Sequence, residues 1–184
     1  LVHTNTELTR ALIDRCRRGD NRAQYELYRT YAKAMYNSCL RITGNTTDAE
    51  DVLQEAFIEA FTHLHTYRHE ASFGAWLRRI VVNRAVNYLK KRKLFLPGHL
   101  PDEQETTEDE AYDTHTDAQQ ICDAMALLPD GYRIVLNLYL LEGYDHEEIG
   151  QIMGITVSTS KSQYSRAKKK LAEILKKQEH EKQY

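Results

Sequence analysis

Between residues 48 and 93, apolar side chains recur at three- and four-residue intervals through two successive segments, DAEDVLQEAFIEAFTHLHTYR and SFGAWLRRIVVNRAVNYLKKRK. That repeat suits a helix and is incompatible with the two-residue alternation of a strand. In the first segment Ala49, Val52, Leu53, Ala56, Phe57, Ala60, Phe61 and Leu64 share one broad face. Asp48, Asp51, Gln54, Glu55 and Glu59 occupy the other. Ile58 lies among those carboxylates; a docking surface would use it, although single exposed apolar residues are also ordinary. Thr47 with Glu50 three residues on reads as a capping box, which would start the helix there with its acids at the favourable end of the dipole.

In the second segment Leu77, Val81, Ala85, Tyr88 and Leu89 form the stripe to be buried. Arg79, Asn83, Asn87 and Lys90 line up on the opposite side, with Trp76 at the edge of their row. Arginine and lysine neutralise phosphates, asparagine amides bond base edges, and an aromatic ring can stack on an unstacked base. The row therefore outlines a nucleic-acid surface, and it also fits an ordinary solvated face. Trp76 and Phe73 fit either the core of a helical bundle or contact with DNA.

The helical period extends over most of the 184 residues, and no strand pattern of useful length interrupts it. The expected fold class is all-α. Helices are predicted over 7–18, 22–42, 48–66 and 72–93, with breaks at Gly19-Asp20, Gly44-Asn45 and 67–71. Four helices with short connections make a bundle, so residues 1–93 form one small domain. Over 94–116 the period fails, Pro97, Gly98 and Pro101 interrupt the chain and DEQETTEDEAYD follows, which reads as a flexible acidic linker. Helices resume over 118–128, 130–141, 145–153 and about 157–177, giving a second helical domain across 117–184.

The net charge of −2 would not by itself suggest a nucleic-acid partner, but it averages a basic run at 161–177 with an acidic one at 102–117. The tyrosines at 25, 28, 31 and 36 recur at near-helical spacing and are expected to pack the bundle. Cys16, Cys39 and Cys122 are scattered through helical patterns with no CxxC pair, which fits buried reduced thiols in a cytoplasmic protein. No apolar run is long enough to span a membrane, and no secretory leader is evident, so membrane insertion is not expected.

Residues 145–170, DHEEIGQIMGITVSTSKSQYSRAKKK, have the layout of a helix-turn-helix. Asp145 and Glu148 cap the first helix, Ile149 and Ile152 face inward, Gly150 permits close approach and Gly154 a tight turn. The following helix would present Ser158, Thr159, Lys161 and Ser162 to a groove and Arg166, Lys168 and Lys169 to phosphates. Ser160 stands where such motifs bury valine or isoleucine. Tyr164 is the candidate to replace that contact, and a tilted or weakened reader helix is the expected consequence.

In order and spacing, DAEDVLQEAF, TYRHEASFGAWLRRIVVNRAVNYL and the terminal helix-turn-helix resemble bacterial sigma factors of the extracytoplasmic-function group. These consist of region 2 and region 4 joined by a variable linker. The resemblance implies a subunit that binds core RNA polymerase, recognises promoter DNA and promotes its melting. It implies docking of Asp51, Gln54 and Glu55, with Asp48 nearby, on the β′ clamp helices. The loop 67–73 and the helix behind it would engage the −10 element, a flipped base entering a loop pocket and Asn83 and Asn87 lying near the upstream duplex. Phe73, Trp76, Arg79 and Lys90 would belong to the same surface. Thr159, Lys161, Ser162, Ser165, Arg166 and Lys168 would read the −35 element. The β flap and an anti-sigma factor are the further partners the family implies, and its linkers thread toward the active-site and RNA-exit channels.

No cofactor or metal is implied. His65 and His69 are four apart, but nothing completes a ligand set, and HEEIG at His146 has Gly150 where HExxH needs its second histidine. No phosphate-cradling loop or nucleophile elbow is present, so an enzyme is not expected. The competing function is a stand-alone helix-turn-helix regulator, which would not need an acidic docking face beside an aromatic and basic helix.

Overall fold

Three short polar side chains decide where three of the helices begin. Asp20 accepts from the amides of Arg22 (2.9 Å) and Ala23 (3.2 Å) and opens the second helix. Asn45 accepts from Asp48 N at 3.0 Å and opens the third. Asp145 accepts from the amides of Glu147 and Glu148, both at 2.8 Å, while Glu148 reaches back to Asp145 N at 3.0 Å, completing the capping box expected there. The box expected at Thr47 and Glu50 does not form, because Asn45 takes the capping role two residues earlier.

The computed structural model describes residues 2–92 and 118–182. The acidic linker expected over 94–116 lies outside the described residues. Every regular element described is helical: α1 Val2–Arg17, α2 Asn21–Thr43, α3 Thr46–Thr62, α4 Phe73–Lys91, α5 Ala118–Ala126, α6 Asp130–Leu136, α7 His146–Met153 and α8 Val157–Lys182. A 3-10 turn, Leu64–Thr66, follows α3, and a π-helical turn, Asn137–Leu141, continues α6. The observed limits differ from the expected ones in three places: α1 begins before residue 7, the span 48–66 divides into α3 and a 3-10 turn, and 130–141 changes helical form. The chain divides into two compact units, Leu1–Lys91 and Arg92–Tyr184.

In the first unit α2, α3 and α4 pack on one another and α1 packs on α2. Leu27, Met35 and Ile42 of α2, Val52 and Ala56 of α3, and Leu77, Val81 and Leu89 of α4 are all at most 1% exposed. The Arg15 guanidinium bonds Asp20 at 2.8 Å, tying the end of α1 to the start of α2 and holding the Asp20 carboxyl below the usual carboxylate range. Of the tyrosines expected to pack the bundle, Tyr28 lies edge-on to Phe57 at 4.9 Å and Tyr31 meets Phe73, whereas Tyr25 is 61% exposed: the stripe that α2 buries passes through Ala23 and Leu27.

In the second unit α8 is the common partner of α5, α6 and α7. Met125, Leu128, Tyr132, Leu136 and Ala167 form its core, flanked by Ile121, Tyr164, Leu171 and Ile174. Arg133 is buried with its charge answered by Asp130 and by the Leu128 carbonyl (3.1 Å). Cys16 and Cys39 are buried, and burial pushes the Cys16 thiol up to about 11. Cys122 breaks the expectation of three buried thiols, because it lies on the exposed side of α5.

Gly150 and Gly154 set the turn between α7 and α8. Gly154 adopts φ 70°, a left-handed conformation that glycine alone takes without a steric penalty. A Cβ at Gly150 would stand 2.9 Å from the Ile155 carbonyl oxygen, a backbone atom with little room to move. Gly150→Ala is therefore expected to destabilise the second unit by about 1–3 kcal/mol. The check is urea unfolding followed by circular dichroism, with the fluorescence of Trp76, the one tryptophan, reporting separately on the first unit and remaining unshifted.

Candidate partner and nucleic-acid surfaces

Burial of Val52, Leu53, Ala56 and Phe57 turns Asp51, Gln54 and Glu55 outward, and all three are exposed. Ile58 stands beside them, 67% exposed, a large apolar group in an acidic surround. Asp48 is half-buried and accepts from the Tyr88 hydroxyl at 2.8 Å, which fastens the start of α3 to α4. Tyr88, expected in the buried stripe of α4, is half-buried for the same reason: its ring covers the bundle while its hydroxyl reaches the surface.

Sequence reasoning missed Arg84. Its guanidinium binds Glu59 through two nitrogens, the Nε contact at 2.8 Å, and lies 3.5 Å from the Glu55 carboxylate. A cation thus borders the acidic face and partly neutralises it from the Glu59 side. Asp51 and Gln54 make no side-chain hydrogen bond among the described residues. They are the polar groups of the face most open to a partner.

The connection between α3 and α4 is built on aromatic rings. Tyr67 is 6% exposed, and its ring lies 5.6 Å from Phe73, 5.3 Å from Trp76 and 4.5 Å from the His69 imidazole. Burial raises the Tyr67 phenol above its usual range, so it remains a donor, here to the Ala71 carbonyl at 2.7 Å. That bond closes the loop on itself. The Arg17 guanidinium of α1 donates to the Tyr67 carbonyl at 2.6 Å from outside. His69, at φ 62°, is the one non-glycine residue with positive φ among those described.

Phe73 and Trp76 separate here. Phe73 is 3% exposed, edge-on to Tyr31 at 5.2 Å, and belongs to the core because it opens α4 on its buried stripe. Trp76 is half-buried, with one side against Tyr67 and Phe73. Along the same helix Arg79 and Asn87 are exposed and Asn83 and Lys90 half-buried, with burial holding the Lys90 ammonium below its usual range.

In the second unit Thr156 caps α8, accepting from Thr159 N at 3.0 Å. Thr159, Lys161, Ser165 and Lys168 are exposed and Ser162 and Arg166 half-buried, so the residues expected to face DNA share the accessible side of α8. The Lys168 ammonium lies 5.3 Å from the centre of the Tyr164 ring. Ser160, Gln163 and Ala167 form the inward side. Ser160 is wholly buried, and its hydroxyl is 2.9 Å from His146 Nδ1 at the start of α7. His146 stacks on Tyr139 at 4.7 Å and meets Tyr164 edge-on at 5.6 Å. A polar bond within an aromatic cluster thus replaces the expected apolar contact, and α8 remains continuous to Lys182.

Comparison with known proteins covers both units. Profiles of sigma-70 region 2 and sigma-70 region 4 match residues 27–95 and 118–171, respectively. The ECF RNA polymerase sigma-E factor of Haemophilus influenzae is 30% identical over 176 residues, covering 86% of this chain and 90% of that protein. ECF RNA polymerase sigma factor SigE of Mycolicibacterium smegmatis is 29% identical over 85% of this chain, which spans 63% of that longer relative. Among solved structures, the sigma factor RpoE of Bartonella quintana, in complex with the anti-sigma factor NepR, shares the fold. Its TM-score is 0.55 at 23% identity, covering 83% of this chain and 96% of that one.

The His146 cluster makes the second unit sensitive to acid. Burial, and then the neighbouring Lys161, lower the His146 pKa, against a smaller opposing effect of Asp145. The folded unit therefore favours the neutral ring, whereas the unfolded chain takes up a proton near the ordinary value of about 6.5. Stability from this group is complete above that value and is lost as pH falls through the lower, folded one. The urea midpoint of the second unit should fall between about pH 7.5 and 5.5, and His146→Gln should flatten that dependence. An unchanged slope in the variant would remove His146 from this role.

Proposed function

The chain belongs to the extracytoplasmic-function RNA polymerase sigma factors of the sigma-70 family, and from that premise we propose how its surfaces divide the work of initiation. The carrying observation is the exposed set Asp51, Gln54, Glu55 and Ile58 on α3, positioned by the same bundle that builds the aromatic loop behind it. Carboxylates and an amide around an apolar centre suit a basic helical partner, and the β′ clamp helices of core polymerase are that partner. Charge steers the encounter and fixes register, and Ile58 supplies apolar burial at the centre.

Trp76, Arg79, Asn83, Asn87 and Lys90 form the −10 surface, with Phe73 as its buried floor rather than a direct contact. The loop 67–72 receives a base flipped from the non-template strand. Thr159, Lys161, Ser162, Ser165, Arg166 and Lys168 meet the −35 element in the major groove. The units that carry these surfaces are assigned as region 2 over 1–93 and region 4 over 117–184, joined by the acidic segment 94–116. Core polymerase and base capture together offset an unstacking cost of a few kcal/mol per base. The chain acts by non-covalent binding, in the cytoplasm with the polymerase, and an anti-sigma factor competing for the same faces is its natural regulator.

A stand-alone regulator is not favoured, because the likeness to polymerase sigma factors extends through the first unit as well as the helix-turn-helix.

The test is promoter-dependent initiation by core polymerase plus the purified chain, on duplex and on pre-opened templates. Asp51→Lys with Gln54→Ala is expected to abolish co-purification with core polymerase and initiation on both templates, with helicity unchanged. These positions are preferred to Glu55, whose reversal would also set a cation beside Arg84. Normal polymerase binding by that variant would overturn the docking assignment. Separately, Lys161→Ala with Arg166→Ala should weaken upstream-element recognition by about tenfold to a hundredfold, from the loss of two phosphate or base contacts, and leave initiation from a template pre-opened at the −10 element intact. Equal loss on both would refute the division between units.

A further inference from the structure

Arg17 sits at the last turn of α1, 47 and 50 residues from the two carbonyls it reaches. Its Nη2 donates to Tyr67 O at 2.6 Å and faces Leu64 O at 3.4 Å. The two acceptors bracket the 3-10 turn: Leu64 O opens it and also accepts from Tyr67 N at 3.2 Å, whereas Tyr67 O lies just past its end, where a backbone carbonyl left without a helical partner favours a cation. Asp14, one turn back on α1, lies 3.6 Å from Nη1 and steadies the guanidinium.

From this geometry we propose that Arg17 is a positioning residue for base capture, through which α1 holds the 67–72 loop in its receptive form. The inference rests on the reading of that loop given above. The loop is fastened by few groups. Inside it the Tyr67 hydroxyl bonds Ala71 O, and at its entrance the Tyr67 carbonyl is held by Arg17 alone among the hydrogen bonds of the described residues. Those fastenings must sustain His69 at φ 62°, a conformation that costs a non-glycine residue about 1 kcal/mol or more. Removing the guanidinium leaves Tyr67 free to turn at its carbonyl. Its ring then loses register with His69 and Trp76, the rings nearest an incoming base. A charge-assisted bond to a backbone carbonyl is stronger than a neutral one, so it is a suitable fastening for a loop that must be preformed.

The experiment uses the full chain with core polymerase on a pre-opened promoter bubble. Each non-template position is varied through the four bases and an abasic residue. At the captured position the wild type prefers one base over the abasic site. Arg17→Ala is expected to reduce that preference about tenfold while leaving affinity for the abasic bubble and for core polymerase unchanged. Asp14→Asn, which removes the ion pair but not the carbonyl contacts, should keep the preference. If Arg17→Ala lowers helicity, Arg17→Met retains the apolar stem without any donor and gives the same reading. A preference retained in the arginine variants, or an equal loss on abasic and preferred templates, overturns the positioning role. A wild type with no preference at any position overturns the reading of the loop itself, and the role of Arg17 with it.

Discussion

The first unit depends on the rotation of α3 and α4 about their own axes, and burial fixes that rotation. Val52, Ala56, Leu77, Val81 and Leu89 are all at most 1% exposed within the bundle of α2, α3 and α4. Each large apolar side chain so buried contributes roughly 1.5–3 kcal/mol. A turn of α3 by one residue would carry Asp51 or Glu55 inward, where an unpaired carboxylate costs several kcal/mol. Core and binding face are therefore one constraint seen from two sides. The acidic face needs no interaction of its own to be presented, and exposed carboxylates contribute little to folding, so their chemistry is available to a partner.

Local charge, not the total, decides what each face can bind. A net charge of −2 hides an acidic α3 beside the basic end of α4, where Lys90, Lys91 and Arg92 follow one another. Arg84 is the joint between these opposites, pairing with Glu59 and lying near Glu55. It limits the acidic face on the side nearer α4 and leaves Asp51, Gln54 and Ile58 as its open part. A partner that buries this part desolvates two polar groups and one large apolar one, a mixture that gives specificity through the polar groups and affinity through the apolar contact.

Periodicity made the helices and their buried stripes legible, because a 3.6-residue repeat states which side chains face inward. It does not state which neighbour they meet. Arg84 and Glu59 are 25 residues apart and Ser160 and His146 are 14 apart, and no local spacing pairs them. Ser160 could be recognised as out of place, but its remedy, a ring nitrogen from the preceding helix, exists only once α7 and α8 pack. The cap of α3 was ambiguous in a different way: Asn45 and Thr47 are both good caps, and the sequence between them does not choose. Tyr25 misled because tyrosine serves equally at a surface and in a core, whereas Ala23 and Leu27, less conspicuous, mark the buried face of α2. Phe73 and Trp76 were undivided for the same reason, and only their placement around Tyr67 separates floor from edge.

The loop between α3 and α4 is fastened through main-chain atoms. Arg17 holds Tyr67 O, the Tyr67 hydroxyl holds Ala71 O, and the Ser72 hydroxyl accepts from Ala75 N to start α4. None of these bonds uses the side chains of Arg68, His69 or Glu70. Arg68 and Glu70 can therefore change without loss of a fastening bond, whereas His69 is held by its positive φ and by the contact of its ring with Tyr67. On the reading proposed above, a change at 68 or 70 would alter the chemistry offered to a base while the form of the loop, held by Arg17 and Tyr67, stays in place. The opposite arrangement, a loop folded by its own side chains, would have tied each change of preference to a change of shape. Fastening from α1 and from within Tyr67 removes that link.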